Sequence, residues 1–196
     1  MYGILDDNLE MLAKFAAPVR VSSRSPVFVS DSLSLKRNVR QRSGQLWEVS
    51  AKLEPLSFTA NHLFALLVEK GNTKTVKITM PQNYGAKFNR KEVNMVTADG
   101  AVDDDAVFVT TESFVPAGTF IKFSNHSKIY LTLNDCDAGG AVKIKPRLQA
   151  ALSFTSVFWG DDVVVDVYLE TQNTNGMLYQ DGILMDNGEL TLVEAI

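Results

Sequence analysis

Between Gln45 and Leu53 the chain alternates without a break. Trp47, Val49, Ala51 and Leu53 fall on one face, and Glu48, Ser50 and Lys52 on the other. Side chains of an extended strand point to opposite faces at period two, so this run predicts a half-buried β-strand. Val163–Glu170 repeats the pattern, with Val163, Val165, Val167 and Leu169 set against Val164, Asp166, Tyr168 and Glu170. Two such segments more than a hundred residues apart require a sheet built from distant parts of the chain. Within the first, Trp47 reads as a core anchor, because burying its ring contributes about 2–3 kcal/mol from apolar area alone.

The first strand should stop at Pro55, with Ser57 or Thr59 able to cap a helix that follows. Leu63, Leu66 and Leu67 then form an apolar stripe, which Phe64 and Val68 widen, and Gly71 is placed to end it. Alternation resumes over Thr73–Met80. This strand–helix–strand unit is the clearest local pattern, and its helix stripe is the nearest apolar surface in sequence for Trp47. The texture then changes. Pro81, Gly85 and Asp99–Gly100 punctuate a stretch ending in Asp103, Asp104 and Asp105. Short strands follow at Val107–Glu112, Phe120–Ser124, Lys128–Leu133 and Ala141–Lys145. Turn formers separate them: Pro116–Gly118, Asn125–Ser127 and Asp137–Gly140. Pro146 ends the last. Closely spaced hairpins with almost no helix predict a small barrel of the OB or SH3-like kind.

The remaining segments are less patterned. Leu9, Leu12 and Phe15 give Asp6–Ala16 a weak helical spacing, which Pro18 should end. Pro26–Ser30 is a short strand candidate. Lys36, Arg37, Arg40 and Arg42 cluster beside Ser43 and Gly44, as a solvated loop or a partner-facing patch. Asn173–Gly176 and Asp186–Gly188 are turn formers, and Gly188–Ala195 is a closing strand. The expected class is therefore mainly β: a β-sandwich-like domain with one helix, plus an inserted OB-like barrel. Residues 1–84 and 172–196 would form the first domain, and residues 85–171 the barrel.

Residue chemistry points away from catalysis. The chain holds two histidines, His62 and His126, and one cysteine, Cys136. His62 reads as a surface or capping residue of the helix, and His126 as a solvated turn residue. No G-x-S-x-G segment surrounds a serine, and no glycine-rich phosphate cradle is present. Asp103–Asp105 and Asn134–Asp137 are oxygen-rich, yet neither matches a twelve-residue calcium loop. Phe154, Phe158 and Trp159 form an aromatic group that reads as packing or, second, as a binding platform. The expectation is no catalytic residue, no cofactor site and no metal site.

Composition narrows the partners. Nineteen basic and 23 acidic residues leave a net charge of −4, which gives no drive toward nucleic acid or an anionic membrane. A single cysteine allows no internal disulfide. No apolar run approaches the roughly 20 residues that span a bilayer, and Asp6, Asp7 and Glu10 stand where a secretory leader would be basic. A soluble protein made in a cytoplasm is expected.

Three segments carry a resemblance. Arg42–Tyr84 joins an S-G-Q-x-W-E strand to a proline, a helix starting after Ser or Thr, and a strand ending in proline. Pro116–Leu148 runs through a strand, a short turn, a K-I-Y strand and a G-x-A strand ending in P-R-L. GELTLVEAI closes the chain. In this order the segments resemble the distal tail (baseplate ring) proteins of tailed bacteriophages, although Thr119 stands where that family often has Asp. The resemblance covers roughly half the chain, and the arm before Ser43 has no counterpart in it. It implies a virion subunit that forms a ring, as a homohexamer, between the tail tube protein and the hub, tip or baseplate proteins. It carries no catalytic residues. Alternatives are another tail or neck ring component, such as a tail terminator or sheath-associated baseplate ring, or a carbohydrate- or receptor-binding module.

Overall fold

A computed structural model of the chain describes residues 2–31, 37–41, 44–55, 59–70, 73–82, 97–110, 115–136, 139–159, 163–170, 178–180, 183–186 and 189–196. Among these, sixteen strands and one helix are formed. In chain order the first are β1 (Gly3–Leu5), β2 (Met11–Arg24), β3 (Val27–Asp31), β4 (Arg37–Gln41), β5 (Leu46–Pro55), α1 (Ala60–Lys70) and β6 (Val76–Thr79). There follow β7 (Thr97–Gly100), β8 (Ala106–Thr110), β9 (Phe120–Phe123), β10 (Ile129–Thr132), β11 (Gly140–Lys145) and β12 (Leu152–Trp159). The chain ends with β13 (Val164–Leu169), β14 (Leu178–Gln180), β15 (Ile183–Asp186) and β16 (Glu189–Glu194).

Twelve of these strands close into two antiparallel barrels of six, in the orders β1-β2-β5-β16-β13-β6 and β7-β8-β11-β10-β9-β12. The protein is mainly β with a small barrel, as its alternation predicts. The sheet expected to be sandwich-like joins its own edges, and the small barrel has six strands where an OB-fold has five. Closure removes the free outer edges that an open sheet would keep, although β10 and β11 pair only at Leu131 and Thr132.

The partition of the chain differs from the expected one. Val164–Leu169 lies in the first barrel, where it pairs with β6 (Val165 opposite Ile78) and with β16 (Tyr168 opposite Val193). Among the described residues the strands of the second barrel therefore run from 97 to 159, and Val164–Leu169 drops out of the expected barrel of 85–171. Without β13, strand β6 would be paired on one side only, by β1. The inserted barrel thus leaves and re-enters through two strands that are ladder neighbours, with Val164 opposite Thr79.

The N-terminal residues are strand, not helix. Leu9 sits in a tight turn with φ of 66° and its side chain in solvent. One oxygen of Asp6, Oδ1, accepts from the backbone N–H of Asn8 (2.9 Å) and of Glu10 (2.8 Å). That side chain supplies the acceptors a helix would have needed from its backbone, and it starts a hairpin instead. Pro18 does not end an element. It lies where the β2–β5 register shifts between Ala16 and Arg20, a position where a missing N–H interrupts no ladder bond. Asp99 and Gly100, read as punctuation, belong to β7. A Cβ at Gly100 would lie 3.0 Å from Leu148 and 3.1 Å from Val107, so the residue is small because the barrel wall is tight.

Strand β5 buries Trp47, Val49, Ala51 and Leu53, and β13 follows its predicted alternation. In α1, Leu63 and Leu67 are buried and Leu66 partly so, whereas Phe64 and Val68 are exposed and do not widen the buried stripe. The helix packs on β2. Thr59 holds its start, donating its hydroxyl to the Leu12 carbonyl at 2.6 Å. Ser57 and Gly71 lie outside the described residues, as do the turn formers at 173–176. One hydrophobic cluster runs through both barrels, from Ile4 and Val49 to Phe123 and Val142.

Gly3 is a sharp test of the first barrel. A Cβ there would sit 1.9 Å from the Ala13 carbonyl oxygen, a backbone atom that no side-chain rotation can clear. Gly3→Ala is expected to lower stability by about 2 kcal/mol or more, since overpacking a rigid contact commonly costs about 1–3 kcal/mol. Urea unfolding of the variant against the parent chain measures it.

Candidate functional site

Among the described residues, the most elaborate polar chemistry lies where the two barrels meet, at the ends of β5 and β16 on one side and β10 on the other. Glu194, the last residue of β16, is 3% exposed, and Lys128 is 0% exposed. They form a buried ion pair, and Lys128 Nζ also donates to the Gln45 carbonyl. The carboxylate is further satisfied by two backbone donors. Ile129 N–H reaches Oε1 at 2.8 Å, and Trp47 N–H reaches Oε2 at 3.1 Å. Burial pulls the Lys128 ammonium below the ordinary lysine range, and the adjacent Glu194 carboxylate opposes that pull.

Strand topology explains why these groups are needed. Strand β10 pairs with β11 only at Leu131 and Thr132, because β11 ends at Lys145. Ile129 therefore lacks a neighbour from its own barrel on that side. Glu194 takes its N–H, and the Trp47 indole N–H donates to its carbonyl at 3.0 Å. The Trp47 ring packs edge-on against Phe120, with centroids 4.9 Å apart. Trp47 is thus buried, as its strand predicts, but a principal aromatic contact is a residue of the second barrel.

Two further ties cross the junction. The Gln82 side-chain amide donates to the Phe120 carbonyl (2.9 Å) and accepts from its N–H (3.0 Å), in the manner of a strand neighbour. Lys122 Nζ donates to the Val164 carbonyl at 2.8 Å. Burial lowers the Lys122 pKa, with the nearby Asp166 carboxylate working against it.

Away from the junction, β3 and β4 form a separate two-stranded ribbon in the connection between β2 and β5. Val27, Phe28 and Val29 are 50%, 65% and 42% exposed. Since neighbouring residues of a strand point oppositely, β3 presents apolar surface to water on both of its faces. Arg37 and Arg40 of the basic cluster lie on its β4 strand, while Lys36, Arg42 and Ser43 are outside the described residues.

The other sequence-predicted positions separate. His62 is exposed on α1. His126 is not a free turn residue: it is half-buried against Phe123 and Tyr130. The Tyr130 hydroxyl accepts from Gln149 N–H at 3.0 Å and lies 2.7 Å from His126 Nε2, while His126 Nδ1 lies against Asn125 Oδ1. The neutral tautomer with its proton on Nδ1 fits both contacts, donating to Asn125 and accepting from Tyr130. Burial also pushes the Tyr130 phenol up to about 12.

The acidic turns serve the backbone. Asp104 Oδ2 accepts from Ala101 N–H (2.8 Å), Asp135 Oδ1 from Ala117 N–H (2.8 Å) and Asn134 Oδ1 from Lys143 N–H (2.6 Å). Asp137 lies outside the described residues. Trp159 is buried, whereas Phe154 and Phe158 are exposed, so the three aromatics do not form one group. Among the described residues, no helix is long and apolar enough to cross a membrane.

Removing one partner of the junction pair leaves the other charge buried and alone. Lys128→Met should lower stability by about 3–5 kcal/mol, and adding Glu194→Gln should recover part of the loss, since a stranded charge costs more than a neutral amide. A double-mutant cycle in urea reads both numbers.

His126 gives a pH signature. Burial, and secondarily the Lys122 charge, hold its folded pKa below the ordinary 6.5. Between those two values the unfolded chain binds the extra proton and the folded chain does not, so stability falls as pH drops through about 6.5. His126→Gln should flatten that part of a plot of melting temperature against pH.

A scan against protein-family models finds no match for the chain, and a search of curated proteins finds none either.

Proposed function

We propose that the chain is a structural, non-enzymatic virion subunit, similar to phage distal tail proteins. It would assemble with copies of itself into a closed ring, as a hexamer, between the tail tube and the hub, tip or baseplate proteins. The observation that carries this reading is the β3–β4 ribbon. Its exposed Val27, Phe28 and Val29 are a poor choice for a free monomer and a natural one for an arm laid on a neighbouring subunit. Ring contacts are head-to-tail, so an arm on one side of the subunit suits them.

Other features fit the same role. Two barrels joined through a hydrogen-bonded junction suit a subunit that transmits load. The junction's ionisable groups saturate one another, which is bracing chemistry and not the poised chemistry of an enzyme. With a net charge of −4, the subunit has no excess of basic residues with which to hold DNA passing through a central channel.

Native mass spectrometry of the purified protein, and of particles that contain it, is the test. The parent chain should form a closed ring, while Phe28→Asp should remain monomeric with an unchanged melting midpoint. A chain that is strictly monomeric in both settings would sink the ring reading.

A further inference from the structure

We propose that the outer face of β7, β8 and β12 on the second barrel binds neutral oligosaccharide, with Phe108 and Phe154 as stacking surfaces and Asp99 between them as a hydroxyl acceptor. This site is separate from the ring arm and does not depend on it.

The β7–β8 register and one hydrogen bond from β12 bring the three residues together. Phe108 stands directly opposite Asp99 on the β7–β8 ladder. Across β7 on its other side, the Phe154 N–H donates to Asp99 Oδ1 at 2.7 Å. Phe108 and Phe154 are thus two strand spacings apart, roughly 10 Å. The two residues are 54% and 77% exposed. The next row on the same outer face is hydroxylic, with Thr97 opposite both Thr110 and Ser156.

Phe154 is the informative residue. It lies where the β7–β12 register shifts between Leu152 and Thr155, and its φ is 46°, a backbone conformation that a bulky side chain seldom adopts. Bulges that bury a side chain are explained by the packing they gain. This one turns an aromatic ring out into water and is held by the Asp99 carboxylate, so packing within the chain does not account for it.

The row discriminates among ligands. Two aromatic faces stack on the apolar faces of sugar rings, and a carboxylate with one oxygen already fixed can accept a sugar hydroxyl with the other. A nucleic acid would stack on the same rings, but its phosphates would meet Asp99 and a chain of net charge −4. A flat apolar protein surface would strip water from that carboxylate and return no donor. Sugar hydroxyls replace the water they displace.

The test titrates the full chain with hexasaccharides of the cello, chito and malto series, followed by saturation-transfer NMR and calorimetry. At least one series should bind saturably and transfer magnetisation from the Phe rings. Phe108→Ala with Phe154→Ala should weaken that binding by roughly tenfold or more. Asp99→Asn, which keeps an acceptor for the Phe154 N–H, should weaken it less. Both residues are exposed, so the double variant should melt as the parent does, and native mass spectrometry should give it the parent's oligomeric state. The proposal is overturned if no series binds the parent, or if the double variant binds equally well. It is overturned equally if that variant loses self-association, which would make this face a contact between copies. Tighter binding to a single-stranded oligonucleotide than to any sugar would also overturn it.

Discussion

The buried pair of Glu194 and Lys128 fixes the relation between the two halves of this protein. Taking a carboxylate and an ammonium out of water costs several kcal/mol per ion after relaxation, so the pair is favourable only where nearly every lone pair and proton finds a partner. Here Glu194 accepts from Lys128, Ile129 and Trp47, and Lys128 donates in addition to the Gln45 carbonyl. Those partners come from β16, from the start of β5 and from the entry to β10, so the network is complete only in one relative placement of the barrels. An apolar junction of the same area would tolerate sliding. This one does not, because a shift of an ångström leaves a charge unpaired.

The surrounding contacts follow from that placement. Ile129 can stand at an unpaired edge of its own barrel because a carboxylate and an indole arrive from the other one. Gln82 performs the same service for Phe120 with a side-chain amide. Each barrel therefore closes its hydrogen bonding partly on its neighbour, and the hydrophobic cluster running through both expresses the same dependence. The β3–β4 ribbon stands apart from this arrangement, and there exposed apolar residues accumulate.

Much of the architecture was legible in local pattern. The alternation in β5 and β13, the Leu63 and Leu67 stripe of α1 and the hairpin strands of the second barrel are all where period and turn chemistry put them. Strand β12 was not, because the bulge at Phe154 reverses its parity: Leu152 is buried before it, and Trp159 is buried after it at odd spacing. The N-terminal helix expectation failed because Leu9, Leu12 and Phe15 satisfy a helical spacing while a single aspartate dictates a turn. Which barrel β13 joins is a property of long-range pairing, which alternation does not encode. The junction was least visible of all. Lys128 and Glu194 lie 66 residues apart, and no local pattern marks either as the partner of the other until the fold brings them within reach.

The way the second barrel is spliced in has a further consequence. Its two attachment points follow Thr79 and precede Val164, residues that face each other on one ladder, and Met80 N–H still reaches the Val163 carbonyl at 3.0 Å. By connectivity alone, the whole second barrel occupies the place of a hairpin turn. A short loop there would leave every strand of the first barrel in register, so an insertion at this point could be acquired or exchanged without rethreading the fold. Side-chain chemistry withdraws that freedom. With the second barrel gone, Glu194 keeps its charge without its cation, and Trp47 loses both its edge-on partner and its acceptor. By threading the second barrel is detachable; by side-chain chemistry it is not.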